Sequence, residues 1–380
     1  MPNSLDIQLE NRTDSDSVWA YITGIALQHN GARVIVKANG KDLYFPQSPP
    51  NILSPLTEDC AISLGPPGNI VTVHIPQMAG GRIWFSRGSK ITFLLNPGPA
   101  IVEPSVLNPT DPNADVDFAF AEFTLNSDQL FANISFVDFV PRIPIALTLK
   151  TARGQVQTVT GMPKDGLDRV CDGLRAQAAK DGRPWDKLVV QRPGQQRPLR
   201  ALNPTHAGAV GASFTGYFEP LVDEVWSAYH EHNRHGPRQL RINTQAAAGK
   251  VTGCVHGSSG HLVLGSEAFP RPTTADILGC NSGPFTTGPS PTRNAIIPRL
   301  AAAFVRSAVL VEGVDEHPSH PNTFYNRDPT NHYARIVHET TRDGKGYAFA
   351  YDDVQPDGGE DQSGKVNAGD PSMFVVSVGG

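Results

Sequence analysis

From the N-terminus to residue 150 the apolar positions fall in short runs, most of them alternating with polar ones. Residues 5–9 (LDIQL) and 33–36 (RVIV) alternate, and 70–75 (IVTVHI) does so less strictly. Residues 91–95 (ITFLL) are more continuously apolar, as a strand covered on both faces is. Asn39-Gly40, Pro49-Pro50, Pro66-Pro67-Gly68, Gly80-Gly81 and Pro97-Gly98 punctuate these runs with turn signals. Short strands at this spacing predict a β-sandwich or a flattened barrel.

The period changes near Gly161-Met162-Pro163. Leu167, Val170, Cys171 and Leu174 stand at helical spacing and predict a helix over 163–180. A second is predicted over 215–232, with Phe218, Leu221, Val222, Val225, Trp226 and Tyr229 on one side, and a third over 294–311. Strand-like runs at 239–242 and 262–264 lie between them. Beyond residue 323 the chain reads as β again: 333–338, 346–351 and 374–378 are expected strands, and the Gly/Asp/Ser-rich 355–372 a loop. The order predicts a mainly β protein. Residues 1–154 and 321–380 would form one β domain, 155–320 an inserted mixed α/β domain, and a wide groove between them would suit a long ligand.

Composition changes this picture little. Thirty-six Gly and 33 Pro in 380 residues favour turn-linked strands over a helical bundle. A net charge of −5 without a Lys/Arg stripe argues against nucleic acid as a partner; a neutral polymer needs no basic patch. No apolar stretch reaches the length of a membrane span, and residues 1–30 show no signal-peptide pattern. Cys60, Cys171, Cys254 and Cys280 make no CxxC pair, which argues against structural zinc and leaves disulfides and buried thiols equally open. The sequons at Asn11 and Asn133 are compatible with secretion without requiring it.

The candidate chemistry lies in 117–126 (DFAFAEFTLN), where strand alternation puts Glu122, Thr124 and Asn126 on one face. An acid, a hydroxyl and an amide together suit a sugar. The run 133–139 (NISFVDF) follows a polar turn and carries Asp138. A hairpin turning near Gln129 would set Glu122 opposite Phe136 and make Asp138 its diagonal neighbour, roughly 7–8 Å away. Inverting glycosidases need carboxyls about 6.5–9.5 Å apart, but a one-residue slip would separate the faces. Spacing alone favours two solvated rim charges.

Other patterns exclude more than they suggest. His230, Glu231, His232 and His235 are too close in sequence to meet on one helical face, as metal ligands would. Asp353, Asp357, Glu360 and Asp361 lack EF-hand spacing, Gly249-Lys250 lacks the rest of a P-loop, and there is no GxSxG. No metal and no cofactor are expected.

Several segments resemble thaumatin-like proteins: Ser17-Val18-Trp19-Ala20, the GGRIWFSRG run at 80–88, AEFTLN at 121–126 followed by NISFVD at 133–138, and YAFAYDD at 347–353. With the α/β segment, and with Pro184-Trp185-Asp186 and Cys280-Asn281-Ser282-Gly283-Pro284-Phe285, nearly the whole chain is similar to the β-1,3-glucanases of glycoside hydrolase family 64, which join a thaumatin-like barrel to an α/β domain. The resemblance implies an inverting, endo-type hydrolase of β-1,3-glucan that tends to release laminaripentaose. Glu122 would be its general acid and Asp138 its general base. Thr124 and Asn126 are then expected to bind sugar hydroxyls and Phe131 to stack on a pyranose, against the alternative of a core Phe. Arg82 and Trp84 are expected to line the cleft and Asp352 its rim, with Asp353 solvated. The chain is expected to be an extracellular monomer. It departs from the thaumatin-like pattern at Asn133, where an Asp is usual, in having no Arg between Arg87 and Arg142, and in its few cysteines. A non-catalytic glucan-binding or antifungal protein is one alternative, which the α/β segment argues against; a glycosidase for another glucan linkage is the other.

Overall fold

The computed structural model describes residues 3–192, 194–233, 236 and 238–380. The chain is mainly β, with several sheets. The first large sheet has the order Val156–Val159, Ile145–Thr151, Pro371–Val378, Ser4–Asn11, Ile70–Pro76. The last strand of the chain is therefore central, parallel to Ser4–Asn11 and antiparallel to Ile145–Thr151. Its alternation buries Phe374, Val376 and Val378 completely.

The second large sheet runs Lys365–Ala368, Leu130–Ile134, Asp117–Leu125, Met78–Arg87, Val18–Ala26, Ala32–Val36, Leu43–Tyr44. Ile145–Thr151 of the first sheet packs against Asp117–Leu125 and Leu130–Ile134 of the second, which joins the inner faces in one core. Of the expected 91–95 strand only Leu94–Asn96 forms; it pairs with Ala100–Val102 and Ser54–Pro55 in a small sheet.

Among the described residues, two further small sheets and five α-helices come from 139–340. Helix α1 (Gly166–Asp181) buries Leu167, Val170, Cys171 and Leu174, as their spacing requires, and stops at Gly182 in the left-handed conformation. Helix α2 (Glu219–Ala228) buries Leu221, Val222, Val225 and Trp226. Helix α3 (Thr274–Gly279) opens on a capping box between Thr273 and Asp276. Helix α4 (Pro291–Val305) starts earlier and ends earlier than its pattern suggests: Ser290 caps it through the Arg293 N–H, and Ser307 turns left-handed just beyond its end.

Three expectations for the last sixty residues are corrected. Residues 333–338 are not a strand but part of helix α5 (His332–Thr340). Tyr333, Ile336, Val337 and Thr340 are buried at helical spacing, and the Asn331 side chain caps the helix by accepting from the Ala334 N–H. Helix α5 packs on α1. Residues 346–351 form no strand either; beyond a single bridge from Tyr347 to Ser135 they are turn and irregular backbone. Part of the expected 355–372 loop is instead the strand Lys365–Ala368 at the edge of the second sheet.

Residues 346–351 fail to form a strand because of Asp352, which is completely buried. Its carboxylate accepts from Arg306 Nη2 at 3.0 Å, from His338 Nε2 at 2.9 Å and from the Ala348 N–H at 2.9 Å. Arg306, just past the end of α4, also donates to the carbonyls of Asp352 and Val354 and lies over the rings of Phe324 and Phe349. A buried carboxylate demands such partners, and the backbone of 347–354 curls to bring it to them.

Burial alone would raise the Asp352 pKa; His338, Arg306 and the Ala348 N–H outweigh it and lower the pKa. Burial alone would lower that of His338; the Asp352 charge, its hydrogen bond and the Gly344 carbonyl outweigh it and raise the pKa. The stability Asp352 contributes is therefore present above the ordinary carboxylate range and lost as pH falls through its lowered pKa. The contribution of His338 is full below the ordinary histidine pKa and lost as pH rises through its raised one. D352N should destabilise the protein by about 3–5 kcal/mol in urea titrations near neutral pH. The gap to the wild type should narrow in acid, as the native Asp352 itself protonates.

Candidate active site

Glu122 belongs to a row that crosses the second sheet. In register, Thr23 faces Arg82, Arg82 faces Glu122, Glu122 faces Asn133 and Asn133 faces Lys365. Directly opposed residues share a face, so the acid is built into a line of polar groups. Beside the row, two strands shift register, between Thr23 and Ile25 and between Phe123 and Leu125. Such bulges re-aim side chains at functional sites. Gly81 lets the Phe123 ring lie against the backbone, where a Cβ would come within 2.6 Å of it.

The Arg82 guanidinium joins two carboxylates. Its Nη1 donates to Glu103 Oε2 at 2.5 Å, and its Nε and Nη2 donate to Glu122 Oε1 at 3.3 Å each. Below it lie the rings of Trp84 and Phe120, 5.6 and 5.0 Å from its central carbon. A hollow of about 540 Å³ opens over this row; Arg82, Glu103, Glu122, Thr124, Phe131 and Asn133 help to line it.

Asp138 is not on the Glu122 hairpin. Asn126 Oδ1 accepts from the N–H groups of Asp128 and Gln129, so the turn closes over 126–129 and Leu125 meets Leu130. Glu122 therefore faces Asn133 rather than Phe136, and the diagonal spacing expected from a turn near Gln129 does not arise. The strand ends at Ile134, and Asp138 lies in a bend before the short strand Phe139–Pro141.

That bend is fixed from three directions. The Phe136 N–H donates to the Tyr347 carbonyl at 2.7 Å, and the buried Tyr333 hydroxyl of α5 donates to the Phe136 carbonyl at 2.7 Å. The Asn203 N–H donates to the Asp138 carbonyl at 2.9 Å. Asn203 also caps the 3₁₀ turn Pro204–Val210 and donates from Nδ2 to the Ala348 carbonyl. From that turn His206 places Nε2 at 3.1 Å from Asp138 Oδ1. Asp138 and His206 line a second hollow of about 630 Å³, to which Phe214, Asn281 and Phe349 also contribute. Asn133 and Val137, on one segment, line the two hollows respectively.

The two carboxylates sit in opposite electrostatic settings. Burial raises the Glu122 pKa above the ordinary range; Arg82 pulls against it, and the charges of Asp138 and Glu103 add to the rise. The His206 hydrogen bond lowers the Asp138 pKa; burial opposes it, and the charges of His206 and Arg82 reinforce it. Both side chains remain accessible, 37% exposed for Glu122 and 45% for Asp138. One group holds a proton more readily than a free carboxylate, and the other gives one up more readily. This is the division of labour that acid/base chemistry uses.

The structure thus gathers Glu122, Arg82, Thr124 and Phe131 at one hollow and Asp138 at the other. Three expected binding residues lie elsewhere. Trp84 is 1% exposed, with Phe93, Phe118 and Phe120 around it and its indole N–H on Thr23, so it supports Arg82 from below rather than lining a cleft. Asn126 commits its side-chain oxygen to the turn and lies outside the hollow. Asp352 is interior, not at a rim. Arg82, on the neighbouring strand, places a guanidinium beside the Glu of the AEF motif. Asn133 Oδ1 is buried with no hydrogen-bond partner among the described residues. Sequence reasoning missed Glu103 and His206; Asn203-Pro204 signals a helical start, but nothing in the sequence ties His206 to Asp138.

Among the described residues no group of three or more His, Cys, Asp or Glu is placed to hold a metal ion, and His235 lies outside them. The four cysteines are free thiols. No helix of the described residues is long and apolar enough to cross a membrane.

A family model described as β-1,3-glucanase, that of glycoside hydrolase family 64, matches residues 3–378. The glucan endo-1,3-β-glucosidase of Cellulosimicrobium cellulans is 32% identical over 297 residues, covering 75% of this chain and 50% of that protein. Its counterpart from Arthrobacter sp. (strain YCWD3) is 31% identical with the same coverage, so the chain spans about half the length of the curated relatives it matches. A laminaripentaose-producing β-1,3-glucanase solved in complex with laminaritetraose superposes with a TM-score of 0.84 at 29% identity, over 99% of both chains. A β-1,3-glucanase domain from Clostridium beijerinckii shares the fold, with a TM-score of 0.74 at 22% identity over 99% of this chain and 98% of that one. With the match running almost end to end, this chain belongs to glycoside hydrolase family 64, the β-1,3-glucanase family.

Proposed function

We propose that the protein is an inverting, endo-acting hydrolase of β-1,3-glucan that releases short laminari-oligosaccharides, laminaripentaose among them. Glu122 is the general acid and Asp138 the general base. The observation that carries this reading is the opposite tuning of the two carboxylates. Glu122, whose hold on its proton is strengthened by burial and by its acidic neighbours, protonates the leaving glycosidic oxygen. Asp138, kept ionised by His206, takes a proton from the water that attacks the anomeric carbon from the opposite face. With Asp138 ionised, the His206 contact is Nε2–H donating to Oδ1, and it fixes the direction in which the base points. Inversion is what the family resemblance implies, and a base of lowered pKa suits activation of a water.

Arg82, Thr124 and Phe131 are proposed to contact sugar: the Thr124 hydroxyl and Arg82 as polar partners, the half-buried Phe131 ring as a stacking face. We read the architecture as a thaumatin-like β domain interrupted by an α/β domain, with the glucan lying between them. Val156–Val159 goes with the β domain, since it pairs in the first sheet. Both carboxylates and His206 come from one chain, which supports a monomer. Its polymeric substrate supports action outside the cell. A purely binding role is not favoured, because holding a glucan needs no pair of carboxylates of opposite tuning.

Three outcomes test this. E122Q and D138N should each fold as the wild type does and lower kcat on laminarin by about 10²–10⁴-fold in reducing-sugar assays; near-normal turnover in either removes that residue from the chemistry. The kcat/KM profile should be bell-shaped, its acid limb the protonation of Asp138 and its alkaline limb the ionisation of Glu122. H206A removes the bond that lowers the Asp138 pKa, so its acid limb should move to higher pH; an unmoved acid limb would deny His206 its part in tuning the base.

A further inference from the structure

Arg82 poses a chemical problem. A guanidinium within hydrogen-bond reach of a carboxylate lowers its pKa by about 1–3 units, whereas a general acid must keep its proton at working pH. The geometry around Arg82 resolves it. Its short bond, 2.5 Å, goes to Glu103, and Glu122 receives two long ones of 3.3 Å to a single oxygen. Glu103 is itself fixed: its other oxygen accepts from the Thr23 hydroxyl at 3.0 Å, and that hydroxyl accepts from the buried Trp84 indole N–H at 3.0 Å. Both Glu103 oxygens are thus engaged, one by the cation and one by the sheet.

We propose that Glu103 is a positioning residue for the acid: by holding Arg82 and balancing its charge, it lets Glu122 keep its proton while Arg82 stays in the hollow. The proposal rests on the reading of Glu122 as general acid. As a stabilising pair Glu103–Arg82 counts for little, since both side chains are about one-third exposed. Its consequence lies in where the guanidinium points.

The charged groups around Glu122 are few. Arg82 and Glu103 bond as described, and Asp138 acts on it from the bend. Arg33 lines the same hollow. Lys365, at the end of the row, turns its ammonium toward Asp361 at 3.7 Å. Of the anions near Glu122, Glu103 is the one that also binds its cation, so neutralising it acts twice. It removes a negative charge near Glu122 and frees Arg82 to pair with it.

The test is the titration of Glu122 itself, followed by NMR of protein carrying ¹³C-carboxyl glutamate, with its resonance assigned by disappearance in E122Q. E103Q keeps the shape of the side chain and an acceptor for Thr23 but loses the charge; its Glu122 midpoint should fall by about 1 pH unit. E103D, which keeps the charge, should stay close to the wild type. The alkaline limb of kcat/KM on laminarin should move down with the midpoint in E103Q and return in E103D. A Glu122 midpoint in E103Q equal to or above that of the wild type overturns the proposal, whatever happens to turnover. A midpoint that falls while the alkaline limb stays in place supports the role of Glu103 and instead removes Glu122 as the general acid.

Discussion

The arrangement of the site depends on one buried carboxylate that lines neither hollow. Asp352 is enclosed by Arg306 from the end of α4, His338 from α5 and the Ala348 N–H of its own loop. An unpaired charge cannot remain in such a place, so the loop 347–354 has one way to lie. That loop presents the Tyr347 carbonyl to Phe136 and the Ala348 carbonyl to Asn203. Phe136 and Asn203 then fix the bend that holds Asp138, and helix α5 adds the Tyr333 hydroxyl. Order passes from an interior ion cluster, through backbone hydrogen bonds, to Asp138.

Glu122 depends on a different device. Glu122 is set by strand register, in line with Thr23, Arg82 and Asn133. Sheet register is rigid, because a one-residue slip reverses every side chain. Glu122 is thus part of a stiff surface, while Asp138 is held by contacts with residues 203–206 and, through Phe136, with Tyr333 and Tyr347.

Much of this was legible in the sequence where local pattern decides the outcome. Most strands of the first 150 residues and the faces of α1 and α2 follow from alternation and helical spacing, and the alternation within AEFTLN puts Glu122 and Thr124 on one face. Failures came where tertiary partners decide. YARIVH at 333–338 alternates well enough for a strand, yet Asn331 caps it as a helix and α1 supplies the surface it buries. YAFAY at 347–351 has the composition of a strand, and the burial of Asp352 overrides it. The hairpin register turned on the side chain of Asn126, which reads equally well as a sugar ligand or as a turn former. Glu103 and His206 carry no sequence signal of their partners, because Arg82 and Asp138 are distant in the chain and meet them only in the fold.

The central claim is that Glu122 and Asp138 act on opposite faces of the sugar, as acid and base, with water as the nucleophile. The stereochemistry of the product tests it most directly. Proton NMR of the anomeric region, recorded during early hydrolysis of a β-1,3-glucan and before mutarotation, shows which anomer is released first. The α-anomer should appear first, with the β-anomer growing in only as mutarotation proceeds. Initial release of the β-anomer, or a glycosyl-enzyme trapped on Asp138, would mean that Asp138 is a nucleophile and would contradict the account.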